Sequence, residues 1–125
     1  MNDYLYSQEH LWFLIQENKP VIRFGFTEFA ILPGRPQYLS LPPLGKVFND
    51  ANSELGCLET EKCAISITLP FAVRIVNVNV ALCDDPALLL NGNMTENWLC
   101  EVELLNKQDL SKLMTEQQYQ AFCAP

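Results

Sequence analysis

Leu58-Glu59-Thr60-Glu61-Lys62-Cys63-Ala64-Ile65-Ser66-Ile67-Thr68-Leu69-Pro70 is the stretch on which the fold turns. Cys63, Ile65, Ile67 and Leu69 fall on one face of an extended chain, and Ala64, Ser66 and Thr68 on the other. A period of two is the pattern of a half-buried strand. Pro70 closes it, because proline cannot donate to a sheet ladder. The preceding Leu55–Glu59 segment is also strand-like. Strand, polar turn, strand is a hairpin, and Lys62 stands at its tip. There its four-carbon stem is free to reach into solvent and meet another protein. Acylation of its amine would make a long arm on a fixed base, with Glu59 and Glu61 placed to steer a modifying enzyme. Taken by itself the pattern is also that of an ordinary solvated turn, with Lys62, Glu59 and Glu61 serving only solubility.

Outward from this hairpin, short strands dominate. Leu11, Phe13 and Ile15 alternate with Trp12, Leu14 and Gln16. Glu17-Asn18-Lys19-Pro20 reads as a turn, and Val21–Phe26 as the partner strand. A short helix is expected from Thr27, ended by Pro33, Gly34 and Pro36. Leu39 and Leu41 form an inward pair in a brief strand, and Pro42, Pro43 and Gly45 mark a turn. Val73 and Ile75 share one face, whereas Val76, Val78 and Val80 share the other, which predicts a bulge or a strand buried on both sides. Asp84-Asp85-Pro86 suits a helix start and Asn91-Gly92-Asn93 its end. Trp98, Cys100, Val102 and Leu104 mark another strand. Leu110, Leu113 and Met114 have helical spacing, and Thr115 with Gln118 predicts a capping box before a last helix carrying Tyr119 and Phe122. The whole reads as an antiparallel sandwich or barrel with a helical tail.

The 125 residues suit one domain, 1–125, and 49% hydrophobic content argues against disorder. No apolar run is long enough for a membrane helix. Met1-Asn2-Asp3-Tyr4 lacks a basic region followed by an apolar run, so no secretory signal is expected. Fifteen acidic against eight basic residues give a net charge of −7, which speaks against a nucleic-acid partner and for basic patches on protein partners. The five cysteines, at 57, 63, 83, 100 and 123, include no Cys-x-x-Cys pair, and His10 is the one histidine. A metal site is therefore not expected, and the cysteines read as free thiols of a reducing cytoplasm. Cys63 reads as a small residue leading the inward strand face, with exchange against a neighbouring disulfide as the sharper alternative. His10 reads as structural, on a terminal strand beside Trp12.

Glu59-Thr60-Glu61-Lys62-Cys63 resembles the Glu-Thr-Asp-Lys-Ala loop of lipoyl domains. With Pro70 it fits the Glu-x-x-Lys-Ala-x-x-x-x-x-x-Pro pattern of glycine-cleavage H proteins. Tyr6-Ser7-Gln8-Glu9-His10-Leu11-Trp12 resembles the opening of that family, and Gly25-Phe26-Thr27-Glu28-Phe29-Ala30 its Gly-Ile-Thr-Asp-Tyr-Ala segment. Leu41-Pro42 with Gly45, then Asn79, Leu82, Asp85-Pro86 and Asn91, continue the match in order, as do Trp98, Glu116, Tyr119 and Phe122. The chain is thus identified as a divergent member of that family. It departs at Val73 and Asn97, where glycine is usual, at Ser66, where an acid is usual, and at Gly34-Arg35-Pro36, where Gly-Asp-Ile is usual.

The resemblance implies a barrel-sandwich hybrid of two antiparallel sheets, of the lipoyl/biotinyl-carrier type, with short helices and a C-terminal helix. It implies a non-catalytic cytoplasmic carrier with lipoate covalently attached at Lys62, and with Glu59 and Glu61 recognised by the lipoylating enzyme. Its partners would be glycine decarboxylase (P protein), aminomethyltransferase (T protein), dihydrolipoyl dehydrogenase (L protein), and a lipoate ligase or lipoyl transferase. The dithiolane would be the working group, passing an aminomethyl group between enzymes that hold the other cofactors. Other readings are an H-like lipoyl carrier for lipoate relay or sulfur oxidation, and an unlipoylated interaction module. A cysteine-nucleophile enzyme is the weakest, since His10 alone would have to serve as its base.

Overall fold

A computed structural model describes residues 2–16, 21–31, 34–90 and 96–124. β1 (Asn2–Tyr6), β2 (Leu11–Gln16) and β3 (Val21–Phe26) form an antiparallel meander. Beyond β3 the sheet continues with β9 (Trp98–Leu104), β8 (Val73–Val78) and the short β5 (Val47–Phe48), giving the order β1-β2-β3-β9-β8-β5. A second antiparallel sheet holds β4 (Pro36–Ser40), β6 (Glu54–Thr60) and β7 (Ala64–Thr68) in the order β4-β6-β7. The expected mainly β architecture of two antiparallel sheets is therefore the observed one.

The inner faces of the two sheets meet in one apolar core. Leu11, Phe13, Phe24, Val73, Ile75 and Val102 come from the larger sheet, and Leu39, Leu58 and Ile67 from the smaller. Phe13 lies 5.8 Å from Phe24 and 5.7 Å from Phe71 between ring centroids, within the range of favourable aromatic pairing. The outer face of β1 and β2 is also covered. Tyr6, Trp12, Leu14 and Tyr119 form a second cluster there, beneath α3 (Glu116–Cys123). Hence Leu11 to Leu14 are buried consecutively, although their alternation suggests a strand with one solvated face.

Several elements differ from the sequence expectation. The phase change in β8 is a bulge, with the register shifting between Ile75 and Asn77. Val80, expected in that strand, instead opens α2 (Val80–Asp84). Asp85 closes this helix by donating its N–H to the Ala81 carbonyl, and Pro86–Leu90 follow as a 3-10 turn. Leu110 lies in another 3-10 turn, Lys107–Lys112, while Met114 is extended and exchanges two backbone bonds with Tyr6, at 2.7 and 2.8 Å. Its spacing marked burial rather than an α-helix. The capping box is present: Thr115 Oγ1 accepts from Gln118 N at 3.2 Å, and Thr115 N donates to Gln118 Oε1 at 2.9 Å. Thr27 precedes α1 (Glu28–Ile31), but its hydroxyl bonds Tyr119 rather than capping that helix. Leu41 lies just past β4 and is half-buried. The turns expected at 17–20 and 91–93, and Pro33, lie outside the described residues.

Candidate functional site

The β6–β7 hairpin projects past the core, and burial falls off along it. Ile67 is 1% exposed and Leu69 1%. Ile65 is half-buried and Cys63 is exposed. Cys63 therefore does not face inward as the alternation suggests. It precedes β7, at the exposed end of the hairpin.

Only Glu61 and Lys62 lie between the paired residues Thr60 and Cys63. Tight two-residue hairpins usually take positive φ at one or both turn positions, because that twist matches the strands. Among the described non-glycine residues, positive φ occurs at His10 and Asn52 and not in this turn. The Thr60 side chain compensates. Its Oγ1 accepts from Lys62 N at 3.2 Å and from Cys63 N at 3.1 Å, and donates to the Cys63 carbonyl at 3.2 Å. Thr60 N adds a 2.8 Å bond to the same carbonyl. Thr60 is buried, so these bonds are little contested by water.

The segment leading into β4 braces the turn from outside. Glu61 N donates to Arg35 O at 3.1 Å. Gly34 packs so closely that an added Cβ would sit 3.1 Å from Thr60 Oγ1 and 3.4 Å from Glu61 Cγ. A side chain at position 34 would therefore have to push the Thr60 hydroxyl aside by a few tenths of an ångström.

Lys62 itself is exposed. The ion pairs among the described residues join Arg23 to Glu101, Arg74 to Glu103 and Lys112 to Asp109, and Lys62 enters none of them. Glu59 and Glu61 are exposed and flank it. Burial raises the Cys57 thiol above its ordinary value, and the carboxylates of Glu59 and Glu54 raise it further. Glu54, Glu59 and Glu61 are thus the exposed acids of this hairpin, and Lys62 is its one base. The arrangement offers one accessible nucleophile on a rigid mount, which suits acylation by another protein.

The remaining singled-out residues form a separate group. His10 is not on a strand; it sits at φ 65° in the turn before β2. Its Nδ1 is 2.8 Å from the Tyr119 hydroxyl, which is 2.7 Å from Thr27 Oγ1. Cys123 Sγ lies 4.0 Å from the same Nδ1. Burial drives the Tyr119 hydroxyl far above its usual range. This chain of bonds pins α3 to the meander. Beside it lies a cavity of about 360 Å³, lined by Phe26, Phe29, Glu28, Glu116 and Tyr119 among others. Sequence periodicity gives no sign of it, because its walls come from five separated segments, around residues 6, 26–29, 89, 97 and 116–120. The described cysteines are free, with Cys100 buried and its thiol pushed up to about 12 by burial.

The family model for the glycine cleavage H-protein matches residues 4–125. The chain belongs to the glycine cleavage H-protein family. It is 32% identical over 123 residues to glycine cleavage system H protein 1 of Caldanaerobacter subterraneus subsp. tengcongensis, covering 98% of this chain and 95% of that protein. It is 31% identical to the mitochondrial glycine cleavage system H protein 2 of Arabidopsis thaliana, covering 98% of this chain and 78% of that one. The crystal structure of a glycine cleavage system H protein from Mycobacterium marinum superposes with a TM-score of 0.77 at 26% identity, covering 95% of this chain and 94% of that one. H proteins are lipoyl carriers and non-catalytic subunits of the glycine cleavage system. No helix among the described residues is long and apolar enough to cross a membrane.

Proposed function

We propose that this H-family chain, as one carrier domain over residues 1–125, bears lipoate in amide linkage on Lys62 and moves an aminomethyl group between the P, T and L proteins in the cytoplasm. The observation that carries this reading is the unpaired, exposed Lys62 amine at the tip of a hairpin locked by Thr60. When bound, lipoate supplies a dithiolane whose sulfur accepts the group and whose ring is closed again by oxidation. The chain's own residues do the mounting. Thr60 fixes the turn, Gly34 and Arg35 brace it, and the Lys62 stem extends the attachment point into solvent. Glu59 and Glu61 present carboxylates to the enzyme that acylates the amine. The net charge of −7 favours encounter with basic docking surfaces.

The test is intact-mass measurement after co-expression with a lipoate ligase. Wild type gains one lipoyl group, and Lys62→Arg gains none. The lipoylated protein then supports glycine–bicarbonate exchange with the decarboxylating enzyme. Unmodified wild type would exclude the carrier role; modification without exchange would assign the arm to another pathway.

A further inference from the structure

The hairpin that presents Lys62 also has a free edge. β7 is the last strand of the β4-β6-β7 sheet. Thr60 N bonds Cys63 O, so residues 60 and 63 stand at a hydrogen-bonded position of the ladder, although Cys63 N turns to Thr60 Oγ1. In an antiparallel ladder such pairs alternate with pairs whose N–H and C=O groups point away from each other. With Leu58 opposite Ile65 and Cys57 opposite Ser66, the bonded positions on β7 are Ile65 and Ile67. Ala64 and Ser66 then turn both backbone groups outward, and no other bond among the described residues reaches them. Free edges are commonly blunted by proline, by lysine or by a covering element. Ala64-Ile65-Ser66-Ile67-Thr68 has neither residue, and Ala64 and Ser66 are exposed.

We infer that the β7 edge receives an extended, basic segment of the lipoate-attaching enzyme, which adds to this sheet as a further strand; this rests on the carrier reading of Lys62. The place fits the task, since the first open edge residue, Ala64, is two residues from the amine to be acylated. The chemistry of the segment follows from the exposed face. Ala64 and Ser66 are small, so they leave a low floor between the edge and the carboxylates behind it. Glu59 stands opposite Ala64, and Glu54 Oε1 holds Ser66 Oγ at 2.8 Å. A Lys or Arg on the added strand lies across that floor and reaches those acids. Main-chain bonds supply attachment and the acids supply charge selection.

The test compares Ser66→Pro with Ser66→Ala using a lipoate ligase, lipoate and ATP. Proline deletes the outward N–H, yet it is a residue that edge strands accept where the N–H faces solvent. Ser66→Pro lowers kcat/KM for lipoylation about tenfold, mainly through KM, because a partner carbonyl loses its donor. Ser66→Ala keeps the N–H and loses only the Oγ bond to Glu54, so it falls far less than Ser66→Pro. Acetylation of Lys62 by N-hydroxysuccinimide acetate is unchanged in both, which separates loss of docking from loss of the amine. Wild-type lipoylation of a folded Ser66→Pro overturns the proposal. If circular dichroism shows that this variant is misfolded, backbone amide exchange in wild type decides. The Ala64 and Ser66 amides slow on saturation with the ligase, and unaltered exchange overturns the proposal. Failure of wild type to be lipoylated at all overturns the carrier reading itself, before either variant is made.

Discussion

Thr60 Oγ1 lies 3.1 Å from the backbone nitrogen of Cys63, and so takes a donor that a tight hairpin usually gives to a carbonyl. One buried hydroxyl thereby replaces the positive-φ residues such turns prefer. Asn-Gly or Gly-rich tips obtain the right twist from their own backbone. This tip keeps a glutamate and a lysine at the apex because the residue before them holds the geometry.

Thr60→Val keeps the shape of the side chain and deletes that hydroxyl. The N–H groups of Lys62 and Cys63 then lose an acceptor in a half-buried setting, at a cost of about 1–2 kcal/mol. Urea unfolding should show that loss, and amide exchange at residues 62 and 63 should accelerate more than in the body of β6. Thr60→Ser should restore both. Equal exchange in Thr60→Val and wild type would show that the backbone holds the turn unaided.

Gly25 faces a similar demand from a different neighbour. A Cβ added there would lie 2.8 Å from the Trp12 ring and 2.9 Å from the Asn97 carbonyl oxygen. Trp12 is fully buried and the carbonyl is backbone, so neither moves cheaply. Gly25→Ala should cost about 1–3 kcal/mol, as overpacking of a filled core does. Thermal melting followed by near-ultraviolet dichroism of Trp12 reads both the stability loss and the displaced ring.

The lysine hairpin, the β2–β3 pair and the capping box were legible because each rests on local chemistry: a period of two, a polar turn, a hydroxyl placed three residues before an amide. The consecutive burial of β2 was not, because α3 comes from the far end of the chain and covers a face the alternation leaves open. Cys63 continues the apolar register of Ile65 and Ile67, yet periodicity carries no information on where along the hairpin burial ends. The sequence suggests a strand at His10, but φ 65° places it in a turn, where Tyr119 holds its ring. Val80 keeps the apolar phase of Val76 and Val78, yet β8 stops at Val78 and Val80 opens a helix. Lys62 stood out as a candidate only through its likeness to a known loop; its freedom from ion pairs needed coordinates.

Tyr119 joins residues distant in sequence, since its hydroxyl meets both His10 and Thr27. Tyr119→Phe keeps the ring stacked on Tyr6, where the centroids are 4.8 Å apart, but leaves two polar atoms without that partner. The expected loss is about 1–3 kcal/mol, concentrated in the docking of α3. Limited proteolysis should therefore cut this variant first at the C-terminal helix, before the sheets become susceptible. Uniform cleavage across the chain would place the role of Tyr119 in global stability instead.

The thiols divide by burial, and that division sets a dependence on pH. Cys63 is exposed and Cys100 is fully buried. A thiol reagent should label Cys63 readily in the native protein and Cys100 only on unfolding. Burial lifts the Cys100 thiol from 9.0 to about 12 in the folded chain. Below the ordinary thiol value both states are protonated and its contribution is fully present. As pH rises through that value the unfolded chain loses the proton while the folded chain keeps it, so the equilibrium moves toward unfolding. The contribution is lost progressively up to about pH 12. One unit above the ordinary value the loss is on the order of 1 kcal/mol. Urea titrations of wild type and Cys100→Ala at neutral and alkaline pH isolate it, because the other titrating groups are common to both. The variant starts less stable and should lose less on going alkaline; parallel losses would show that Cys100 ionises as readily in the core as in the unfolded chain.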